Sequence, residues 1–278
     1  VTSFAHPRRD ERPYARASRP VFDKRRRQRR NYAISRTTQR QPELSRPRFQ
    51  FVDCRWELGS PGRGRELYLA GHIPGASFLD VDEDLAAQPG PGGRHPLPAP
   101  DEFARAASRA GIGPGVFVVA YGNMGGAERL WWLLRHFGHD DCAVLELDAW
   151  HGPLRTGEEE IEPAEFVPHL RTGDTIEAEE LAQRHNELVV VDARLPERFR
   201  GEPNPIDVVP GRIPGARNAP WNEPLPELPE GELVAYCGSG VTACVVLHRL
   251  WLTGREGRLY PGSWSEWEQL DLPVERED

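Results

Sequence analysis

Along residues 49–278, short continuous apolar runs alternate with longer stretches of helical periodicity. The first 48 residues show almost no apolar periodicity. "VFVVAY" (116–121), "LVVVDA" (188–193) and "ELVAYC" (232–237) have the length and make-up of strands buried on both faces. "TIEAEELAQRHN" (175–186) and "TACVVLHRLWLTG" (242–254) read as helices. Thr175 is the expected N-cap of the first, with acids in its opening turn. Gly254 is the expected stop of the second. This alternation predicts α/β architecture with a mainly parallel sheet.

The pattern occurs twice. "FVDCRW" (51–56) matches "VVDARL" (190–195), each an apolar strand ending in Asp-x-Arg. "GHIPGA" (71–76) matches "GRIPGA" (211–216), and "LELDAW" (145–150) matches "LYPGSW" (259–264). "VFVVAYGNMGGAERLWWLLRHFG" (116–138) matches "ELVAYCGSGVTACVVLHRLWLTG" (232–254). The offset falls from close to 140 residues to about 115, because the first copy carries a longer loop around 86–102. Two long repeats mean two duplicated domains rather than a solenoid. The expected bounds are 49–151 and 175–278, joined by a Pro/Glu/Gly-rich linker over 152–174. The first copy has no evident counterpart of the helix at 175–186.

Charge separates the first 48 residues from the rest. They hold 15 Arg or Lys against four Asp or Glu, within a chain of net charge −8. A segment so basic and so poor in apolar periodicity reads as a disordered tail. Its run "KRRRQRR" (24–30) could meet an anionic surface, but a solvated tail is the simpler reading, and no nucleic-acid partner is expected. No stretch approaches the ~18 apolar residues of a membrane span. Four cysteines in 278 residues make no disulfide framework and fit a reducing, cytoplasmic setting. The histidines show no metal-ligand spacing, and neither metal nor cofactor is expected.

Chemistry concentrates at "AYCGSGVTAC" (235–244). A strand ending at Tyr236 and a helix beginning near Thr242 leave Cys237, Gly238, Ser239, Gly240 and Val241 as a tight connection. The glycines permit positive φ and close approach of backbone N–H groups, which curve into an anion-binding nest. The helix that follows adds the positive end of its dipole. Such a loop suits a cysteine that must carry negative charge, the form in which sulfur is a nucleophile. A cysteine phosphatase would need an arginine at the loop's end, and none is present. A carrier of one terminal sulfur needs a smaller cradle, which this loop offers. Cys54 and Cys244 read as packing residues, Cys142 as a surface or packing residue, and Asp53/Arg55 and Asp192/Arg194 as ion pairs tying strand end to loop. Trp150 and Trp264, which recur, read as domain-edge packing.

"CGSGVTAC", the paired "G(H/R)IPGA" motifs and "GSWSEW" (262–267) together resemble the tandem-domain rhodanese-family sulfurtransferases, over about residues 49–278. The resemblance implies two rhodanese-like domains. The first is catalytically silent, because Gly122 stands where the second has Cys237. It implies that Cys237 takes a sulfane sulfur from a small-molecule donor as a persulfide. The sulfur then passes to cyanide or to a thiol, either a small thiol or a thioredoxin-like protein. Gly238, Ser239, Gly240, Val241 and Thr242 would line the substrate, and the uncharged Gly-Ser-Gly form resembles mercaptopyruvate enzymes. Arg198 matches the family's substrate-anion arginine. Asp207 stands where many mercaptopyruvate members have a second arginine, which keeps thiosulfate as the alternative donor. The family's first domain faces the cleft, which makes His72 a further candidate. A reading of another class is a non-catalytic module that only binds a partner.

Overall fold

The computed structural model describes residues 48–277. The basic tail expected over 1–48 therefore lies outside the described residues, except Arg48. Strands β1 (Arg48–Cys54), β2 (Ser77–Phe78), β3 (Val116–Gly122) and β4 (Cys142–Leu145) form one sheet in the order β2-β1-β3-β4. Strands β5 (Val189–Asp192), β6 (Arg217–Asn218), β7 (Leu233–Tyr236) and β8 (Arg258–Leu259) form a second, in the order β6-β5-β7-β8. Every pairing in both sheets is parallel. The crossovers of the first domain carry α1 (Arg63–Ala70), α2 (Pro100–Arg109) and α3 (Gly126–His136). The second domain carries α4 (Ala178–Arg184), α5 (Pro196–Arg200), α6 (Ala243–Leu252) and α7 (Ser263–Trp267). Two duplicated α/β domains with parallel sheets are thus present.

Equivalent residues do equivalent work in the two copies. In register, Asp53 lies beside Tyr121 and Asp192 beside Tyr236. Each tyrosine hydroxyl accepts a backbone N–H from the Ile-Pro motif, Ile73 or Ile213. Arg55 bonds Asp53 and the carbonyls of Leu67 and Gly71, and Arg194 bonds Asp192 and the carbonyl of Gly211. The Asp192–Arg194 pair is fully buried at 2.7 Å. Loss of one partner from such a pair leaves an uncompensated charge and costs about 3–5 kcal/mol. The sequence-derived role of these pairs as ties between strand end and loop matches this geometry.

Thr175 does not cap a helix. It forms a parallel bridge with Leu259, and α4 starts at Ala178 behind Glu177. Thr175 thus extends the sheet edge, and the pairing displaces the helix start. Any equivalent segment in the first copy would precede β1, outside the described residues.

The stretch 152–174 carries no regular helix or strand, yet it is tied down along its length. Arg155 pairs with His72, Gly157 donates to Leu69 O, Ala164 to Ser108 O and His169 to Phe137 O. Phe166 enters the first domain's core. The C-terminal segment treats the second domain the same way. Glu275 pairs with Arg212 as Arg155 pairs with His72. Glu275 also accepts the N–H of Gly215, as Glu159 accepts that of Gly75, each at 2.8 Å. Each "G(H/R)IPGA" motif is therefore the docking edge for a strap that follows its own domain.

The two domains share one apolar core. Helix α3 lies against α6, and a single buried cluster runs from Val52 and Leu130 through to Val191 and Leu247. The contact is tight at Gly125, where an added methyl would lie 3.0 Å from Thr242 Cα. The first copy's loop, which has Gly122 at the cysteine position, therefore abuts the second copy's loop, which has Cys237.

Candidate active site

Cys237 directly follows the buried strand β7, and its loop is bent by Gly240 at φ 80°. A methyl on Gly240 would lie 2.5 Å from Pro261 O, so only glycine fits there without displacement. The bend turns the Gly240 N–H toward the sulfur, 3.1 Å from Cys237 Sγ. The "GSWSEW" turn holds the loop's outer side. Trp264 N–H donates to Cys237 O, Ser265 N–H to Gly238 O, and Ser263 Oγ accepts the Cys237 N–H. Carbonyls thus face α7, while the Gly240 N–H faces the sulfur, where it can donate to a negative charge.

Of the residues expected at the site, Gly238, Ser239 and Gly240 shape the cradle. Val241 is buried in the shared core, and Thr242 precedes α6 without a side-chain cap bond. Arg198, from α5, reaches the loop: a methyl on Gly238 would lie 2.9 Å from its Nη2. Its guanidinium is held by Asp207, at 2.8 Å through Nε and 2.5 Å through Nη2. Burial alone would raise the Asp207 carboxyl, but Arg198, Arg194 and Asn204 hold it below its ordinary value.

His72 is not brought to this loop. Its ring is fully buried, stacked on Tyr68 at 4.1 Å, with Nδ1 at Tyr68 O and Nε2 facing Glu159. It belongs to the strap-docking edge, the role Arg212 fills in the second copy.

The first domain instead contributes Arg94, His95 and Arg129. Arg94 and His95 sit on the longer 86–102 loop, which crosses to the second domain. Gly93, at φ 98°, packs so closely that a methyl there would lie 2.6 Å from Ser265 Oγ. The Arg94 N–H donates to the same Ser265 Oγ. His95 is buried, with Nδ1 2.7 Å from Ser239 Oγ and Nε2 2.8 Å from Asp82 Oδ1. A carboxylate accepting from Nε2–H leaves Nδ1 to accept the Ser239 hydroxyl proton, so Asp82, His95 and Ser239 form a proton path to the cysteine loop.

Arg129, on α3, is fully buried and bonds four carbonyls: Leu85, His95, Pro96 and Gly240. It makes no ion pair with a carboxylate among the described residues. Burial pushes its ionisation down, and Cys244 and Cys237 oppose that. It pins the His95 segment and the Gly240 bend to one point and places positive charge behind the sulfur. Its counterpart in the second copy is Cys244, whose thiol also donates to Gly240 O and is pushed up to about 12 by burial. The sequence signal for Arg129 was a charge amid the apolar "AERLWWLL" run. The signal for Arg94 and His95 was the extra length of their loop.

Among the described residues, no group of three or more His, Cys, Asp or Glu could hold a metal, and no helix is long and apolar enough to cross a membrane. Two parallel-sheet domains thus meet at the Gly-Ser-Gly bend that carries Cys237. The "Rhodanese-like domain" family model matches residues 39–151 and 177–270, and the chain belongs to that family. The first match begins within the segment read as a tail, at residues that lie outside those described. A Pseudomonas aeruginosa relative, provisionally named a 3-mercaptopyruvate sulfurtransferase, is 40% identical over 257 residues, 81% of this chain and 90% of its own. A Mycobacterium tuberculosis relative, provisionally named a thiosulfate sulfurtransferase, is 36% identical over 246 residues, 78% of this chain and 86% of its own. The crystal structure of SseA from Escherichia coli, titled among the 3-mercaptopyruvate sulfotransferases, matches with TM-score 0.67 at 32% identity. That match covers 79% of this chain and 94% of the other.

Proposed function

We propose that the protein is a sulfurtransferase that carries a sulfane sulfur on Cys237, with 3-mercaptopyruvate as donor and a thiol or cyanide as acceptor. The observation that carries this reading is the Gly240 N–H directed at Cys237 Sγ beside the Asp82–His95–Ser239 path. One part stabilises a sulfur anion, and the other moves the proton that the donor's cleavage requires.

In the first half-reaction Cys237 Sγ attacks the donor's sulfur. An S–S bond forms, the donor's C–S bond breaks, and its electron pair leaves on carbon as the enolate of pyruvate. The proton released at sulfur passes through Ser239 and His95 to that enolate, so persulfide and pyruvate are the products. In the second half-reaction the acceptor attacks the terminal sulfur and Cys237 leaves as thiolate. The two steps share one covalent intermediate, the ping-pong arrangement.

The buried His95 and the uncharged loop favour a donor that needs protonation on leaving. Thiosulfate, whose sulfite leaves as an anion, has no use for the path. The four cysteines are unbridged, which supports a reducing, cytoplasmic setting. The test is pyruvate release and thiocyanate formation with each donor, together with the mass of the Cys237 peptide. A sulfur adduct on Cys237 and loss of turnover in Cys237→Ser are expected. No turnover with either donor in folded protein would leave the partner-binding module as the reading.

A further inference from the structure

Arg94 and Arg198, which flank Gly238, each have a carboxylate: Glu268 at 3.9 Å and Asp207 at 2.8 Å. His95, beyond Ser239, has Asp82 at 2.8 Å. Arg129 differs, because it has no carboxylate among the described residues. All its hydrogen bonds go to the carbonyls of Leu85, His95, Pro96 and Gly240. Its side chain is fully buried, and a guanidinium taken out of water without an anion is costly.

Two sulfur atoms lie near it. Gly240 O accepts from Arg129 Nη1 at 3.1 Å, and the N–H of the same glycine meets Cys237 Sγ at 3.1 Å. One residue therefore separates guanidinium from sulfur, a span of at most about 10 Å. Cys244 donates to the same carbonyl, but burial pushes it up to about 12, so it stays a neutral thiol over the working range. Glu128, next to Arg129 on α3, forms no ion pair with it, since adjacent residues on a helix do not face each other. The remaining group that can become an anion beside Arg129 is the sulfur on Cys237, as thiolate or as persulfide.

We propose that Arg129, supplied by the first domain, is the counter-ion of the sulfur anion on Cys237, a positioning residue that acts through Gly240 in both half-reactions. The persulfide part rests on the sulfurtransferase reading above, whereas the pairing with the thiolate holds without any donor. The positive charge favours the thiolate before the donor arrives, and favours it again as leaving group when the acceptor attacks. The Gly238-Ser239-Gly240 loop contains no cation, so the first domain supplies the charge that the catalytic loop lacks.

The test compares wild type with two variants. Arg129→Met keeps the reach of the side chain and removes the charge. Arg129→Lys keeps the charge and loses the planar fork that bonds several carbonyls. Alkylation of Cys237 by iodoacetamide is followed across pH by peptide mass, with no donor present. The melting temperature and the kcat and KM for pyruvate release from 3-mercaptopyruvate are measured beside it. Two unit charges about 10 Å apart, at an effective dielectric of about 20, displace a titration by about one pH unit. Arg129→Met should move the alkylation profile to higher pH by that amount. It should lower kcat about tenfold on the acid side of the profile, with KM near wild type, and the loss should close as pH rises. Arg129→Lys should melt lower yet keep the wild-type profile. A profile of Arg129→Met that superimposes on wild type would overturn the proposal. So would a profile of Arg129→Lys displaced to higher pH, because the fork of bonds rather than the charge would then be what matters; this second criterion decides alone where Arg129→Met does not fold. A wild type that alkylates at Cys237 but releases no pyruvate would overturn the sulfurtransferase reading, and the alkylation profiles would still decide the charge pairing.

Discussion

Replacing His95 with Asn separates proton transfer from sulfur transfer. The substitution removes the 2.7 Å contact to Ser239 Oγ and the 2.8 Å contact to Asp82. Positioned general acid–base groups contribute about 10²–10⁴-fold. Ser239 and the Gly240 N–H remain in place, so the lower end applies: about 100-fold, or ~2.7 kcal/mol. The loss should depend on the donor. With 3-mercaptopyruvate, carbon must be protonated as the C–S bond breaks, and the full loss should appear in pyruvate release. With thiosulfate, sulfite departs as an anion and the loss should be within a few-fold. Discharge of the persulfide by cyanide also needs no proton and should be unaffected. The assay is a single-turnover measurement of pyruvate or sulfite with each donor. Equal losses with both donors would refute the reasoning, since His95 would then act by holding the loop's shape.

Alkylation by iodoacetamide at pH 8 should fall on Cys237 and spare the other cysteines. Burial pushes Cys142 and Cys244 up to about 12 and Cys54 well above its ordinary value; peptide mass mapping reads the result, and modification of Cys244 at the rate of Cys237 would contradict it. His248, packed near Trp131 and Trp251, is lowered from 6.5 to about 4 by burial, with Arg249 adding to the effect. The unfolded chain therefore binds the proton first, and stability should fall as pH drops from 6.5 toward 4. His248→Gln should lose less between pH 7 and pH 5 in urea unfolding than wild type, and equal losses would remove His248 as a cause.

Cys237 and its bend were legible because strand, glycines and helix start are contiguous, so local pattern and local structure coincide. The two sheets were legible because the same apolar runs occur twice. Arg94, His95 and Arg129 were not, because their importance arises only when α3 and the 86–102 loop dock on the other domain. His72 was misplaced for a related reason. The family resemblance put the first domain's surface against the cleft, but the His72 motif is a docking edge each domain needs, shown by the matching pairs His72 with Arg155 and Arg212 with Glu275. Asp207 was seen as a missing arginine. That it ties down Arg198 required the fold of the 201–211 loop.

The straps bear on how the cleft opens. Because 152–174 is bound to the first domain from Arg155 to Arg171, little free chain remains between the two halves to serve as a hinge. A jaw-like swing would have to peel off the strap and pull α3 from α6, exposing apolar surface at each stroke. The two domains therefore work as one packed unit. A sulfur held on Cys237 is both taken up and given away at one sulfur atom, so donor and acceptor use that atom in turn. Order in the reaction comes from shared access rather than from movement of the walls.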